Sequence, residues 1–195
     1  ELFDTIKDKK PDLVTPAQYM YKSEFWPLIE DKHLHPLDVQ QLTNYPNILP
    51  VFKETHFAVK EVVQEGKKEQ QIYGVPFVTG NYGLAYNADI VKEEPKSWSV
   101  LWEDQYKNSY SICSDFATYN IYISALVEGA NYEQLYDTDK LFHVVPVNRL
   151  RQRLNDLALN AFSFWQGTPN IEEMDTLAFT TSWGYIVQIA NQRGM

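Results

Sequence analysis

The sequence predicts an α/β protein with largely parallel strand pairing, and three observations carry that prediction. Short apolar runs bounded by Gly and Pro alternate with stretches whose apolar residues recur three or four apart. The 195 residues suffice for one large α/β domain or two small lobes, with about 70% of the unfolded surface buried. With 44% hydrophobic and 22% charged residues, 8 Gly and 10 Pro, the composition is that of a folded chain, neither disordered nor collagenous.

The elements follow in order. Leu2, Phe3 and Ile6 stand at helical spacing among charges, and Pro11 ends that helix. Asp12-Leu13-Val14-Thr15 reads as a short strand stopped by Pro16, and Ala17 to Lys32 as a helix broken at Pro27. His33 to Asp38 and Asn44 to Pro50 read as surface connection, because Pro removes donors and Asn favours turns. Glu61 to Gln71 is a polar crossing. Tyr73 to Gly80 carries the densest strand signal, and Tyr82 to Asn87 is a second strand with Tyr82, Leu84 and Tyr86 on one face. Ser97 caps a turn bearing Trp98, Leu101 and Trp102. Tyr110 to Ser114 is a strand, followed by a helix from about Phe116 to Gly129. The longest helix is expected from Pro146 to Gly167, then a strand at Thr176 to Thr180 and a helix from Gly184 to Arg193.

Charge and cysteine content exclude several function classes. Against 26 Asp and Glu there are 17 Lys and Arg, a net charge of -9 that repels phosphate backbones and anionic lipid. Nucleic acid is therefore not an expected partner. No apolar run reaches the roughly 20 residues that cross a bilayer. The chain opens at Glu1 without the basic and apolar segments of a signal peptide, which reads as a processed product or a fragment. One cysteine, Cys113, excludes an internal disulfide and a multi-cysteine metal site.

Ligands of open α/β sheets lie beyond the carboxyl ends of strands, near helix N-termini. Three such junctions combine hydroxyls or a carboxylate with aromatic rings: Thr15 to Tyr19, including Gln18; Ser114 to Tyr119; and Thr180 to Tyr185. Each suits a small polar ligand with a cationic or apolar part, and each also suits plain helix capping. Signatures of enzymes are missing: there is no GxGxxG, Walker loop, GxSxG or HExxH. His33 and His35 read as solvated loop residues, and His56 and His143 have no orienting neighbour in sequence. Cys113 reads as a buried thiol, and Glu93-Glu94 and Glu172-Glu173 as solvated faces.

The block Tyr73-Gly74-Val75-Pro76-Phe77 through Gly83-Leu84-Ala85-Tyr86-Asn87, followed by Ser97-Trp98, Leu101-Trp102 and Tyr106-Lys107, carries a resemblance. It resembles the YGVP…GLxYN…SWxxLW…YK pattern of extracellular solute-binding proteins of ABC importers, specifically the spermidine/putrescine-binding group. Asp12-Leu13-Val14 with Pro16 and Tyr19, Leu34 to Asp38, and Ala178 to Tyr185 are similar to further segments of that group, in the same order.

The resemblance implies a periplasmic-binding-protein-like (type II) two-lobe fold, here incomplete, lacking the first strand with its aromatic loop and the closing part of both lobes. Residues 1–85 then belong to lobe one and residues 86–195 to lobe two, with the hinge crossing near 83–88. The ligand sits in the interlobe cleft, and the partners are a small solute, polyamine or another small cation, and the permease subunits of an ABC importer. No cofactor is implied. The site is periplasmic or extracellular, with an export signal, and in one form a lipid anchor, in the precursor. Tyr19 matches a cleft tyrosine and Trp183 a stacking tryptophan of the group, whereas its DDAxE-like run is here Asp115-Phe116-Ala117-Thr118-Tyr119, retaining one carboxylate. The expected ligand-binding set is Gln18, Tyr19, Thr79, Asn81, Tyr82, Asp115, Phe116, Tyr119, Trp183 and Tyr185. Two alternatives stand beside it: a hydrolase or transferase using Asp115 as base in the same cleft, and a sensory module that uses the cleft only to signal.

Overall fold

The structure, a computed structural model, describes residues 2–17, 20–21, 28–53, 58–64 and 66–194, in two compact units that divide between Thr79 and Gly80. In the first unit, helix α1 (Leu2–Lys9) ends as expected: Lys10 turns into the left-handed region at φ +46 and Pro11 follows. Ile6 on its buried face packs with Met20 and Leu28 in a small core.

Asp12 to Thr15 forms no strand. Its Leu13 is 84% exposed, Pro11 and Pro16 bracket it, and an extended run without a neighbouring ladder has nothing to pair with. The helix expected over Ala17 to Lys32 falls largely outside the described residues; at its described end, 28–32 form turns and Lys32 has φ +58. Short 3-10 turns at Val39–Gln41, Tyr45–Asn47 and Pro50–Phe52 make up the connection, the first capped by the Asp38 carboxylate at 3.1 Å from the Gln40 amide.

The polar stretch read as a crossing is a hairpin. Strands β1 (Val59–Gln64) and β2 (Lys67–Ile72) pair antiparallel with Val59 opposite Ile72, and Gly66 takes φ +80 in the turn between them. The sequence Lys67-Lys68-Glu69-Gln70-Gln71 hid it, because β2 is a solvated edge with almost no apolar alternation. The opposite error fell on Tyr73 to Gly80. Beyond Tyr73, whose amide donates to the Ala58 carbonyl at 2.7 Å, this apolar run has no strand pairing, and Phe77 is 86% exposed.

The second unit is a four-stranded mixed sheet in the order β3-β6-β4-β5. Strand β3 (Tyr82–Tyr86) lies on one edge. The Ser97 hydroxyl caps a 3-10 turn, Trp98–Trp102, whose Leu101 is buried. Strand β4 (Tyr110–Cys113) is buried along its length and leads into helix α2 (Ala117–Val127), terminated by Gly129 at φ +97. Two short helices absent from the sequence reading follow, α3 (Tyr132–Leu135) with an Asn131–Gln134 capping box and α4 (Thr138–Val144) capped by Asp137.

Helix α5 (Val147–Leu159) is shorter than expected. Asn160 ends it, and the Phe162 amide donates to the Tyr110 carbonyl at 2.8 Å, drawing the chain into the sheet as β5 (Ser163–Trp165). After helix α6 (Ile171–Met174), strand β6 occupies Phe179–Trp183, three residues later than expected. Thr176 is spent on the preceding turn, its hydroxyl donating to the Glu173 carbonyl at 2.9 Å. Helix α7 (Gly184–Gln192) closes the unit. Strand β4 runs parallel to both β5 and β6, and β3 runs antiparallel to β6. The core gathers Val91, Leu101, Tyr110, Ile112, Ile123, Leu157 and Phe179, with the Tyr110 hydroxyl donating to the Leu157 carbonyl at 2.7 Å.

Glu128, just past α2, keeps only 7% of its side chain exposed and accepts hydrogen bonds from Arg149 and Arg153 of α5. Burial alone would push its carboxyl up; the two guanidinium donors outweigh burial and hold it below the usual carboxylate range. Arg153 also lies over the Trp102 ring, 5.7 Å from its centroid. A carboxyl lowered in the folded state adds stability above its unfolded pKa and loses it as the pH falls through the folded value. Glu128→Gln is therefore expected to cost about 2 kcal/mol at neutral pH, the gap from wild type narrowing below about pH 4, as urea denaturation at several pH values will show.

Candidate functional site

The carboxyl ends of the parallel strands β4, β5 and β6 lie side by side, so the segments after Cys113, Trp165 and Trp183 meet at one end of the sheet. Because β3 is antiparallel, its first residue comes to the same end, with Tyr82 opposite Trp183. The Asn120 amide group donates to the Cys113 carbonyl at 2.7 Å and anchors the first turn of α2 there. Phe116 and Tyr119, three residues apart, then both reach Trp183.

These placements assemble an aromatic cluster. The rings of Tyr82 and Tyr119 stack at 4.6 Å between centroids with 22° between planes. Trp183 meets Tyr82 edge-on at 5.1 Å and Tyr119 at 5.7 Å. Phe116 lies 5.6 Å from Tyr119 and 6.2 Å from Trp183, and buried Trp165 sits behind Tyr82 at 6.3 Å. The edge-to-face and offset geometries are those aromatic pairs prefer. Tyr82, Phe116, Tyr119 and Trp183 are half-buried, so the cluster is open to solvent in part. Burial pushes the Tyr82 phenol well above its ordinary range, which keeps it a neutral polar group.

Asp115, the residue before Phe116, is exposed. Its carboxylate accepts the Gly167 N–H, and the carbonyl of the same Gly167 accepts the Trp183 indole N–H at 3.3 Å. A second tie joins the two loops: the Ser114 amide and hydroxyl both donate to the Trp165 carbonyl, at 3.0 and 3.2 Å. Ring faces next to a carboxylate attract a cation through the ring quadrupole and through charge pairing.

Of the residues expected from sequence, Tyr82, Asp115, Phe116, Tyr119 and Trp183 come together in this way. Asn81 borders them, its carbonyl accepting the Gly184 amide at 2.8 Å where α7 begins. Tyr185 stands 53% exposed on the first turn of α7, and none of these ring pairs includes it. Thr79 is exposed at the end of the first unit, and Gln18 and Tyr19 lie outside the described residues.

Sequence reading missed Trp165 and Gly167, which it took as the last turn and the terminator of the long helix. A signal was present in the short run Ser163-Phe164-Trp165 between Asn160 and Gly167, a strand pattern bounded by turn residues. Cys113 is buried and its thiol is pushed up by burial, the environment of an inert packing residue. Among the described residues no group of three or more His, Cys, Asp or Glu is placed to hold a metal ion. No described helix is long and apolar enough to cross a membrane.

A sheet of parallel strands ending at helix N-termini, with one antiparallel edge strand, defines an open α/β protein whose loops gather at one end. The family model for bacterial extracellular solute-binding proteins matches residues 3–181, and the chain belongs to that family. Its description is of binding proteins outside the cytoplasm rather than of enzymes, and Asp115 as a catalytic base falls away.

The spermidine/putrescine-binding periplasmic protein of Salmonella typhimurium is 28% identical over 114 residues, 57% of this chain and 28% of that relative. Among solved structures, a spermidine/putrescine ABC transporter substrate-binding protein from Streptococcus pneumoniae superposes with a TM-score of 0.66 at 20% identity. That match covers 98% of this chain and 53% of the other. An ABC transporter protein from Clostridium perfringens gives 0.58 at 14% identity, over 87% of this chain and 48% of its own. These likenesses show the fold, and this chain spans about half the length of the solved structures it matches.

Proposed function

We propose that this chain belongs to a receptor that captures a small cationic solute, of polyamine or related amine chemistry, and delivers it to the permease of an ABC importer. The observation that carries the reading is the ring cluster of Tyr82, Phe116, Tyr119 and Trp183 beside the Asp115 carboxylate, at the carboxyl ends of parallel strands. An ammonium group leaving water needs a counter-charge or ring faces to offset its lost hydration, and this end of the sheet supplies both. The names of the relatives in Salmonella and Streptococcus support the same chemistry.

Tyr19 and Gln18 complete the contact set in this reading, with Asn81 and Thr79 at its border. Capture works by lobe closure around the solute, and ligand favours the closed form only through contacts that the open form lacks. Compared with the DDAxE-like run of the polyamine-binding group, Asp115 to Tyr119 exchanges carboxylates for Phe116 and Tyr119, which shifts recognition from charge pairing toward ring stacking.

Calorimetric titration and thermal shift with spermidine, putrescine, a monoamine, a quaternary ammonium compound, neutral amino acids and sugars will test the reading. Binding of at least one cationic compound, with sugars and neutral amino acids inert, is the expected result. A panel in which no cation binds, or in which a sugar binds better, overturns it.

A further inference from the structure

We propose that Gly167 is the positioning residue of this site, a single backbone unit that sets the counter-charge and the stacking ring together. This rests on the reading of Asp115 and Trp183 as ligand contacts. Gly167 donates its N–H to the Asp115 carboxylate and accepts the Trp183 indole N–H on its carbonyl. The Thr168 amide donates to the Gln166 carbonyl at 2.7 Å, so Gly167 is the middle of a turn closed over two peptide links, with φ +68.

That turn is rare and strained for any residue with a side chain, and glycine adopts it without steric cost. A Cβ at this position would meet nothing within 4 Å, so space does not demand the glycine; only the backbone conformation does. A turn that only glycine adopts without strain fixes the direction of both of its peptide groups. Here it aims one N–H at an acid on the β4 loop and one carbonyl at an indole on β6. Neither side chain can change its position without breaking a bond to Gly167.

Two consequences separate positioning from mere loop structure. Because the two hydrogen bonds share one residue, removing the Asp115 carboxylate disturbs the Trp183 indole even without ligand. And because the cost of substitution lies in φ, Gly167→Asn, a residue that tolerates positive φ, harms binding less than Gly167→Val.

The test uses the chain with 15N-labelled tryptophan, the five indole signals being assigned by single Trp→Phe variants. In ligand-free protein, Asp115→Ala and Gly167→Val are each expected to move the Trp183 indole N–H signal and leave that of Trp102, whose partner is the Arg153 carbonyl, in place. With spermidine or putrescine as probe, Gly167→Val is expected to weaken binding at least tenfold at a temperature where its circular dichroism shows it folded. Gly167→Asn is expected to weaken it less than Gly167→Val does.

An unmoved Trp183 signal in Asp115→Ala, or wild-type affinity in Gly167→Val, overturns the proposal. If the wild-type protein binds neither amine, the monoamine or quaternary ammonium compound that does bind replaces them as probe; if no cation binds, the functional reading fails instead, and the ligand-free spectra alone decide whether Gly167 couples the two residues.

Discussion

Phe179→Ala is expected to destabilise the second unit by about 4 kcal/mol, the middle of the range for deleting a buried aromatic side chain. Phe179 is 1% exposed on β6, between β3 and β4, with the Tyr106 ring edge-on at 4.7 Å. Truncation removes its transfer free energy and leaves a cavity under the sheet centre, where backbone hydrogen bonds on both sides prevent collapse. The measurement is the shift in urea midpoint at constant slope. Phe164→Ala, on edge strand β5 and 54% exposed, serves as the internal control, with an expected change below about 1 kcal/mol. A loss of less than 1 kcal/mol at Phe179 would mean that this strand is not the centre of the core.

The sequence made the second unit legible where hydrophobic pattern and punctuation agreed. Ser97 as a cap, Gly129 as a helix stop, and the β4 run Tyr110 to Cys113 each placed an element within a residue or two. It failed where tertiary pairing overrode local pattern. Lys67 to Gln71 looks like a solvated loop but makes a strand through register with β1, and Phe77-Val78 looks like a strand but has no described neighbour to pair with.

The join between α5 and β5 was hidden because helical spacing continues through Ala158, Ala161, Phe162 and Trp165 by coincidence. What stops the helix is a bond from the Phe162 amide to the Tyr110 carbonyl, far back in the sequence. The candidate site was legible in its side chains, since aromatic and acidic residues at strand-to-helix junctions stand out. It was illegible in its backbone, because nothing in Gln166-Gly167-Thr168 reveals that its peptide groups reach Asp115 and Trp183. Side-chain chemistry is written in the sequence; which main-chain group it meets is decided by strand order.

The largest effect on binding is expected from the pair Asp115 and Trp183. Asp115→Ala removes a charge partner and Trp183→Ala removes a ring face. An exposed ion pair contributes about 1 kcal/mol or less and a cation–π contact about 0.5–2, so Asp115→Ala is expected to weaken a cationic ligand up to roughly fivefold and Trp183→Ala up to roughly thirtyfold. Trp183→Phe keeps a ring face but loses the indole N–H that Gly167 holds, so its affinity falls between wild type and Trp183→Ala. Salt separates the two contributions. Asp115 is exposed, so its share shrinks as ionic strength rises and the Debye length contracts, whereas the Trp183 share persists because ring stacking and desolvation are weakly screened. In a double-mutant cycle by calorimetry the loss in the double variant is smaller than the sum of the two single losses, because each single variant already disturbs the other through Gly167. Fully additive losses would detach the two residues from one another. Unchanged affinity in both variants would place the solute elsewhere and withdraw the ring cluster as its site.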